Sequence, residues 1–302
     1  MNETITYIQQ SLEPLYPPEE IRSLTAWILE KVCNLSRHQQ ILRKDIQLSC
    51  SEKETIKTII DRLQNSEPIQ YVFGETEFYG LSFEVGPAVL IPRPETEELV
   101  DRILQDFKDI KDIKDLKVFK NFPPFPTSLF PHTILDIAAG SGCIAITLAK
   151  HLSDSTVYAL DISDNALQIA KRNAQRNDVS VQFIHADILA ANIRHDHSLP
   201  QFDVIVSNPP YVTNSEKASI QPNVLDYEPH LALFVPDEDP ILFYRPVADF
   251  GLEKLTANGL LYLEINTMHS EMIYSILSQK GYRHIEILND LAGKERFIKA
   301  SK

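Results

Sequence analysis

The sequence predicts an α/β fold in which a small helical bundle and a β-hairpin precede a mostly parallel sheet of seven strands, covered by helices on both faces. Seven short apolar segments alternate with helical segments from residue 133 onward, which predicts the sheet. The first of these segments leads into a glycine-containing turn that opens a helix. No glycine occurs before residue 74, and apolar residues recur there at helical spacing, which predicts the bundle.

Residues 1–66 form the predicted bundle, an N-terminal domain that we expect to bind a partner and to carry no catalytic group. Its clearest helical runs are Ile21, Leu24, Ile28 and Val32, and then Ile56, Ile59, Ile60 and Leu63. Ser51 with Glu54 predicts a capping box at the start of the second run. We expect Trp27 to belong to the core of this bundle rather than to a binding surface.

Residues 67–92 are expected to form a β-hairpin that links the bundle to the domain of residues 93–302. Aromatic and β-branched residues alternate with polar ones in this segment, and Tyr79-Gly80 supplies a turn.

Within the second domain, residues 106–131 join the charged repeat KDIKDIKDLK to a run rich in proline and phenylalanine. Because proline at this density prevents regular structure, we expect an inserted surface loop there.

The second domain carries the alternation of strands and helices. Its candidate strands are 133–138, 156–161, 181–186, 202–207, 259–265, 284–289 and 296–300. Its candidate helices include 142–152, 163–177, 240–257 and 267–280. In a parallel sheet of this kind, ligands bind at the carboxyl ends of the strands, near the point where the strand order reverses.

Charge and cysteine content limit the function classes. The 302 residues carry a formal net charge of −13, and broad binding along a nucleic-acid backbone needs clustered lysine and arginine instead. Cys33, Cys50 and Cys143 are scattered without metal-ligand spacing, so we expect reduced thiols and no metal site. The sequence shows no signal-peptide pattern and no apolar stretch of about 20 residues, so we expect a cytoplasmic protein that binds no membrane.

The turn after the first strand is expected to hold a nucleotide-containing cofactor. Ala138, Gly140 and Gly142 let the backbone approach a ligand closely, and the helix that follows offers free N–H groups. Asp161 ends the next strand, where a carboxylate accepts hydrogen bonds from both ribose hydroxyls, or alternatively caps the following helix. Asp187, after the third strand, would lie beside an adenine amine, or else would cap the start of its loop.

These features fit both a nicotinamide dinucleotide and S-adenosyl-L-methionine. The run from Gly140 to Ala145 matches the dinucleotide pattern G-x-G-x-x-A. Asp136, inside the first strand, favours S-adenosylmethionine, because its carboxylate could neutralise the ammonium group of that donor. A pyrophosphate would gain nothing from a carboxylate at the same place.

The most specific feature of the chain ends the fourth strand. It is the tetrapeptide Asn208-Pro209-Pro210-Tyr211. The two prolines fix the backbone and remove two N–H donors, so the Asn208 side-chain oxygen and the Pro209 carbonyl can both accept from one NH₂ group. Tyr211 offers a flat face to a planar amide or base. We expect these four residues to catalyse N-methylation by orienting a weakly nucleophilic nitrogen toward a sulfonium methyl group.

Together with the glycine turn, this tetrapeptide resembles amino-methyltransferases that act on adenine, cytosine or glutamine amide nitrogen. Further motifs over residues 66–300 narrow the resemblance to the release factor glutamine methyltransferases, the PrmC/HemK family. These motifs are Pro68-Ile69-Gln70-Tyr71, Gly74, Phe78, Gly80, the run Val89 to Glu97, Asp226-Tyr227-Glu228-Pro229, Ala232-Leu233, and the run Asp290 to Arg296. The family usually has glycine where Ala138 stands.

The resemblance implies a seven-stranded, Rossmann-like class I methyltransferase domain behind an N-terminal helical bundle. It implies methyl transfer from S-adenosyl-L-methionine, leaving S-adenosyl-L-homocysteine, to the GGQ glutamine of class I peptide-chain release factors. The cofactor-binding residues would be Asp136, Ala138, Gly140, Gly142, Asp161, Asp187 and Asn208. The substrate-binding residues would be Asn208, Pro209, Pro210, Tyr211, Arg93 and Glu95, with Pro94, Thr96 and Glu97 nearby. We expect a monomer with no stable nucleic-acid partner.

Three other functions remain open at this point. An amino-methyltransferase of adenine or cytosine in DNA or RNA would share Asn208–Tyr211, but the acidic charge and the Arg93–Glu97 stretch argue against it. A nicotinamide-dependent oxidoreductase would use the glycine turn and Asp161, and would leave Asn208–Tyr211 without a role. A non-catalytic binding module would be indicated by loss of Asn208 or Asp161, and both are present.

Overall fold

The computed structural model describes residues 1–42, 46–115 and 132–302, and these fall into two compact units. The first unit joins Met1–Gly74 with Gln221–Tyr227, and the second joins Glu75–Ile220 with Glu228–Lys302. The α-helices are α1 (Asn2–Leu12), α2 (Pro18–Cys33), α3 (Arg37–Leu42), α4 (Cys50–Gln64), α5 (Ile69–Phe73), α6 (Pro94–Asp115), α7 (Cys143–His151), α8 (Asp164–Arg176), α9 (Ala191–Arg194), α10 (Pro222–Leu225), α11 (Tyr244–Lys254) and α12 (Ser270–Lys280). The strands are β1 (Glu75–Phe78), β2 (Leu81–Glu84), β3 (Thr133–Ile137), β4 (Thr156–Asp161), β5 (Gln182–His185), β6 (Phe202–Ser207), β7 (Val212–Thr213), β8 (Phe234–Val235), β9 (Leu255–Glu264), β10 (Arg283–Asn289) and β11 (Glu295–Ser301).

The first unit is a helical bundle, as the sequence predicts, and it also includes the short helix α10. Its core is aliphatic and consists of Ile8, Leu12, Ile21, Leu24, Ile28, Leu29, Leu48, Ile56, Ile59, Ile60, Leu63 and Ile69. The Tyr227 hydroxyl donates to the carbonyl oxygen of Asn65 at 2.7 Å, which ties residues 221–227 to this unit. Membership of this later segment in the bundle was not expected from the sequence.

Two details of the predicted bundle are wrong. The capping box of α4 is formed by Ser49 and Glu52, two residues before the predicted pair, because Ser49 also has a glutamate three residues later. The Ser49 Oγ accepts from Glu52 N at 3.2 Å, and Glu52 Oε2 accepts from Ser49 N at 2.7 Å. Trp27 is 40% exposed rather than part of the core, since Leu24 and Ile28 occupy the buried face of α2.

The second unit contains the seven-stranded sheet, in the order β10-β11-β9-β6-β3-β4-β5, and all seven predicted strands are confirmed. β3 pairs in parallel with β4 on one side and with β6 on the other. β11 is antiparallel to both of its neighbours. Because the chain leaves β3 toward β4 and β5 and later returns to β6, the strand order reverses beside β3.

Successive strand residues alternate between two apolar cores, one on each face of the sheet. Ile134 and Val204 belong to one core, together with side chains of α6 and α7, whereas Leu135 and Ile205 belong to the other, together with side chains of α11 and α12. Every residue of β6 is buried, as expected for a central strand that is covered on both faces. The expected covering of both faces by helices is therefore confirmed.

The hairpin is present, and the predicted insertion is partly helical. β1 and β2 pair with Phe78 opposite Leu81, so Tyr79 and Gly80 form the turn, both at positive φ. Residues 106–115 belong to α6, because the charged repeat contains no proline to end the helix. The prediction of a loop over residues 116–131 lies outside the described residues. The linker role of residues 67–92 stays a prediction.

None of the described helices is long and apolar enough to cross a membrane.

Candidate active site

A cavity in the second unit lies at the carboxyl ends of β3, β4, β5 and β6, beside the reversal in strand order. The strand ends contribute residues 137–141, 160–163, 186–189 and 208–210 to its wall. Further wall residues come from the segments 88–90, 92–93 and 231–232 and from Thr96, Cys143 and Pro229. The structure therefore brings together eight of the predicted site residues, which are Arg93, Ala138, Gly140, Asp161, Asp187, Asn208, Pro209 and Pro210.

The glycine turn after β3 has three residues in the left-handed region of backbone space. They are Ala138 (φ 61°), Gly140 (φ 54°) and Gly142 (φ 80°). A Cβ added at Gly140 would meet nothing within 4 Å although Gly140 lines the cavity, so its backbone is open to a ligand. A Cβ at Gly142 would lie 2.9 Å from Ile146 Cδ1 and 3.1 Å from Ala170 Cβ. Gly142 thus permits close packing of α7 on α8, and it does not line the cavity.

Asp161 reaches the cavity from the end of β4 and braces the glycine turn. Its Oδ2 accepts from Gly140 N at 2.8 Å, and its Oδ1 accepts from Ser163 N at 2.8 Å. Each oxygen keeps a further lone pair for a ligand hydroxyl. Burial raises the pKa of Asp161 above its usual range, and these N–H groups oppose that shift. The N-cap of α8 is Ser163, so Asp161 does not take the alternative capping role.

Asp187 and two aliphatic side chains form the part of the cavity beyond Asp161. Asp187 Oδ1 accepts from Leu189 N at 2.8 Å, which is the expected loop cap, and the residue also lines the cavity. Ile162 and Leu189 line the cavity while remaining 46% and 42% exposed. Large exposed aliphatic groups beside carboxylates suit a planar ring joined to a sugar, so the residues present fit an adenosine-containing cofactor.

Asp136 is fully buried and does not line the cavity. Its Oδ2 accepts from Ala145 N at 3.1 Å, and its Oδ1 has no hydrogen-bond partner among the residues described. Burial raises the pKa of Asp136 well above its usual range. The carboxyl group therefore satisfies an N–H of the first turn of α7, and its predicted contact with the ammonium group of a donor stays a prediction.

Asn208 is held by a chain of hydrogen bonds that ends on a buried carboxylate. Its Nδ2 donates to Thr96 Oγ1 at 3.2 Å, and Thr96 Oγ1 donates to Glu264 Oε2 at 2.7 Å. The Tyr211 hydroxyl donates to Oε1 of the same carboxylate at 3.1 Å. Because Nδ2 is engaged, Oδ1 of Asn208 is the side-chain atom that is available to accept from a ligand at the cavity.

Glu264 is the residue at this site that the sequence analysis missed. It ends β9 and is 2% exposed, and burial raises its pKa to about 7, against the opposing hydrogen bonds from Thr96 and Tyr211. Burial also raises the pKa of Tyr211, so its hydroxyl stays protonated as a donor. A carboxylate at the end of the apolar run LLYLE is the same signal that marks Asp161, and it could have identified Glu264.

A second buried carboxylate, Glu228, fixes the segment that carries Arg93. Its Oε1 accepts from the Arg93 guanidinium at 2.5 Å, and its Oε2 accepts from Ile91 N at 3.0 Å. Arg93 lines the cavity. Glu95 is half-buried and does not line it, whereas Glu97 accepts from Tyr79 N at 2.7 Å and so anchors the hairpin turn.

Ala138→Gly is expected to raise the free energy of unfolding by up to about 1 kcal/mol. The left-handed region costs alanine roughly 1–2 kcal/mol, and glycine removes this cost. Part of the gain is lost because glycine also increases the conformational entropy of the unfolded chain. Denaturant unfolding of both proteins measures the difference. Ala139→Gly is the matched control, since Ala139 is buried and has no positive φ, and it should lower stability. A loss of stability in both variants would contradict the strain at Ala138.

Glu264→Gln is expected to become more stable relative to the parent protein as the pH rises from 5 to 8. The folded-state pKa of Glu264, about 7, is raised above its ordinary value, so its stabilising contribution is complete below the unfolded pKa and is lost as pH rises through 7. The full difference is about 3 kcal/mol at most. Denaturant unfolding at several pH values measures it, and a pH-independent difference between the two proteins would contradict this assignment.

The fold, together with the family match and the named relatives, defines a class I, Rossmann-like, S-adenosylmethionine-dependent N-methyltransferase. Residues 122–226 match the family model of the methyltransferase small domain, and residues 3–74 match the PrmC N-terminal domain. The chain belongs to the family of release factor glutamine methyltransferases, because it matches relatives of that name at 42% and 41% identity over nearly the full length of both chains.

Two such relatives illustrate the extent of the match. The release factor glutamine methyltransferase of Bacteroides thetaiotaomicron is 42% identical over 100% of this chain and 100% of its own length. That of Flavobacterium psychrophilum is 41% identical over 98% of this chain and 97% of its own length. Among solved structures, a methyltransferase from Pyrococcus furiosus is 18% identical, covers 74% of this chain and 90% of its own, and has a TM-score of 0.48.

Proposed function

We propose that this chain methylates the side-chain amide nitrogen of the GGQ glutamine in class I peptide-chain release factors. The single observation that carries the proposal is the pairing of a full-length match to enzymes of that name with an available Asn208 Oδ1 beside the donor cavity. We propose further that the protein acts as a cytoplasmic monomer without a stable nucleic-acid partner. The net charge of −13 supports the last point.

The proposed binding mode uses two acceptors for one primary amide. Asn208 Oδ1 and the Pro209 carbonyl oxygen accept the two N–H groups of the glutamine, while Tyr211 packs against its plane. Pro210 keeps this backbone rigid and supplies no competing donor. Arg93, held by Glu228, lies at the cavity wall where the peptide on either side of the glutamine would enter.

The cofactor supplies an electrophilic methyl group on a sulfonium centre and leaves as S-adenosylhomocysteine. We propose that Asp161 binds its ribose, Asp187 with Ile162 and Leu189 its adenine, and Ala138 and Gly140 its amino-acid part through their backbone. Gly142 acts through the packing of α7, and Asp136 through the first turn of that helix.

The reaction forms an N–C bond and breaks the S–C bond. The amide nitrogen is a weak nucleophile because its lone pair is delocalised into the carbonyl group. Two acceptors on its hydrogens orient the lone pair toward the methyl group and stabilise the positive charge that develops on nitrogen. The nitrogen becomes acidic as it is alkylated, so its proton passes to solvent without a strong general base.

Transfer of labelled methyl groups to different acceptors tests the proposed function. A purified class I release factor should become labelled, a variant factor with glutamate in place of the GGQ glutamine should not, and neither should duplex DNA or structured RNA. Glutamate is the matched control because it keeps the shape of glutamine and lacks the NH₂ group. Label in DNA or RNA and none in the factor would contradict the proposal and favour a base methyltransferase.

A further inference from the structure

We propose that Glu264, acting through Thr96, fixes the orientation of the Asn208 amide so that its oxygen, and not its NH₂ group, meets the substrate nitrogen. The inference rests on the proposed function, because it concerns how the amide of the substrate glutamine is bound. Glu264 and Thr96 are both 2% exposed, so neither exchanges its contacts with water. Both are positioning residues, since neither touches the reacting atoms.

The direction of the hydrogen bonds follows from counting protons. An ionised carboxylate accepts only, so the single hydroxyl proton of Thr96 points to Glu264 Oε2, 2.7 Å away. Thr96 Oγ1 then has only lone pairs to offer toward Asn208. The Asn208 amide can satisfy these only with Nδ2, at 3.2 Å, and its Oδ1 is turned to the other side.

The opposite orientation would oppose binding of an amide. If the Thr96 proton pointed at Asn208, the asparagine would accept with Oδ1 and present its own NH₂ group to the NH₂ group of the substrate. Two donors that face each other in a buried site leave both unsatisfied. The carboxylate therefore selects the orientation of Asn208 that accepts a hydrogen bond.

The same carboxylate also holds Tyr211, which the proposed binding mode places against the plane of the substrate amide. Its Oε1 accepts from the Tyr211 hydroxyl at 3.1 Å, so a single buried group fixes both the acceptor and the aromatic face. The titratable and charged groups around it are Glu95 on α6, Cys143 on α7, Tyr211 after β6, Tyr244 on α11 and Arg296 on β11. Arg296 lowers the pKa of Glu264 and Glu95 raises it, while burial keeps it near 7.

Protonation of Glu264 should therefore release the Asn208 amide from its fixed orientation. A neutral carboxyl group on Oε2 donates to Thr96, which frees the hydroxyl proton of Thr96 to turn toward Asn208. Since the pKa lies near 7, the rate of methyl transfer should fall as the pH drops below that value. Tyr211 remains protonated throughout this pH range, so its ionisation does not account for the fall in rate at low pH.

The test compares single-turnover methyl transfer to a release factor by four variants of the full chain. Thr96→Val removes the hydroxyl group at nearly constant shape and should slow the step by roughly 10–100-fold, with a smaller effect on the KM for the factor. Thr96→Ser keeps the hydroxyl group and should recover most of the rate. Glu264→Gln should slow the step and remove the acid limb of the pH profile. Thr147→Val, a buried threonine of α7 outside the cavity wall, is the matched control and should stay within about twofold of the parent protein.

Binding of S-adenosylhomocysteine to each variant, measured by calorimetry, shows that the fold and the donor site are intact. Equal rates for Thr96→Val and Thr96→Ser, or an unchanged acid limb in Glu264→Gln, would overturn the positioning role while leaving the proposed function standing. A parent protein that binds S-adenosylhomocysteine and transfers no methyl group to the factor would instead overturn the proposed function, and this proposal with it.

Discussion

Asn208→Ala is expected to slow methyl transfer to a release factor by roughly 10²–10³-fold, the range for removing one group that stabilises developing charge. The substitution removes one of the two acceptors that we propose for the substrate amide, and it removes the donor to Thr96 Oγ1. The remaining Pro209 carbonyl cannot orient the nitrogen alone, because a single hydrogen bond leaves the amide free to rotate. Single-turnover rates with saturating donor measure the loss.

The matched control for this prediction is Asn192→Ala, which makes the same chemical change at an exposed position of α9. It should leave the rate unchanged. Calorimetric binding of S-adenosylhomocysteine separates a loss of chemistry from a loss of the donor site, since Asn208 also lines the cavity. A rate for Asn208→Ala within a few-fold of the parent protein would mean that the substrate amide is held elsewhere.

Asp161→Ala is expected to weaken binding of S-adenosylmethionine and S-adenosylhomocysteine by roughly 10–100-fold, the range for losing charge-assisted hydrogen bonds to a ligand. The carboxylate accepts from Gly140 N and Ser163 N and has lone pairs left for the ribose hydroxyls. Its loss therefore removes the proposed contacts with the ribose and also loosens the turn that carries Gly140. Titration calorimetry with S-adenosylhomocysteine measures the change in Kd.

Asp164→Ala is the control for charge alone, because Asp164 is exposed on the first turn of α8 and does not line the cavity. Asp161→Asn keeps one acceptor for a backbone N–H and should be less disruptive to folding than Asp161→Ala. If both Asp161 variants bind S-adenosylhomocysteine as tightly as the parent protein, the ribose does not bind at this carboxylate.

The strands and the glycine turn could be predicted from the sequence because their signals are local. A short apolar run followed by Ala138–Gly142 specifies a strand, a turn of positive φ and a helix start within about fifteen residues. The backbone of Asn208–Tyr211 could be predicted equally well, because two prolines at a strand end limit it to few conformations. Asp161 and Asp187 follow from the same rule that strand ends meet at one edge of the sheet.

The environment of Asp136 depends on the helix packed against its strand. Successive residues of β3 point to opposite faces, and Asp136 shares its face with Ile134, which packs in the core that includes α7. Its carboxyl group meets Ala145 N there and stays away from the cavity wall. Which face carries α7 is set by the crossover between β3 and β4, which the sequence around Asp136 does not reveal.

The network around Glu264 could not be predicted, because its members are far apart in the chain. Thr96 is 168 residues from Glu264, and Tyr211 is 53 residues away. The sequence shows a threonine in a charged helix start and a carboxylate at a strand end, and only the packing of α6 against the sheet makes them partners. The same holds for Arg93 and Glu228, which are 135 residues apart.

The most direct test of the central claim is tandem mass spectrometry of a class I release factor after incubation with this protein and S-adenosylmethionine, with Asn208→Ala in parallel. We predict one added methyl group on the side-chain nitrogen of the GGQ glutamine, present with the parent protein and absent or greatly reduced with the variant. A methyl group on another residue, or an unmodified factor from a protein that binds the donor normally, would contradict this claim.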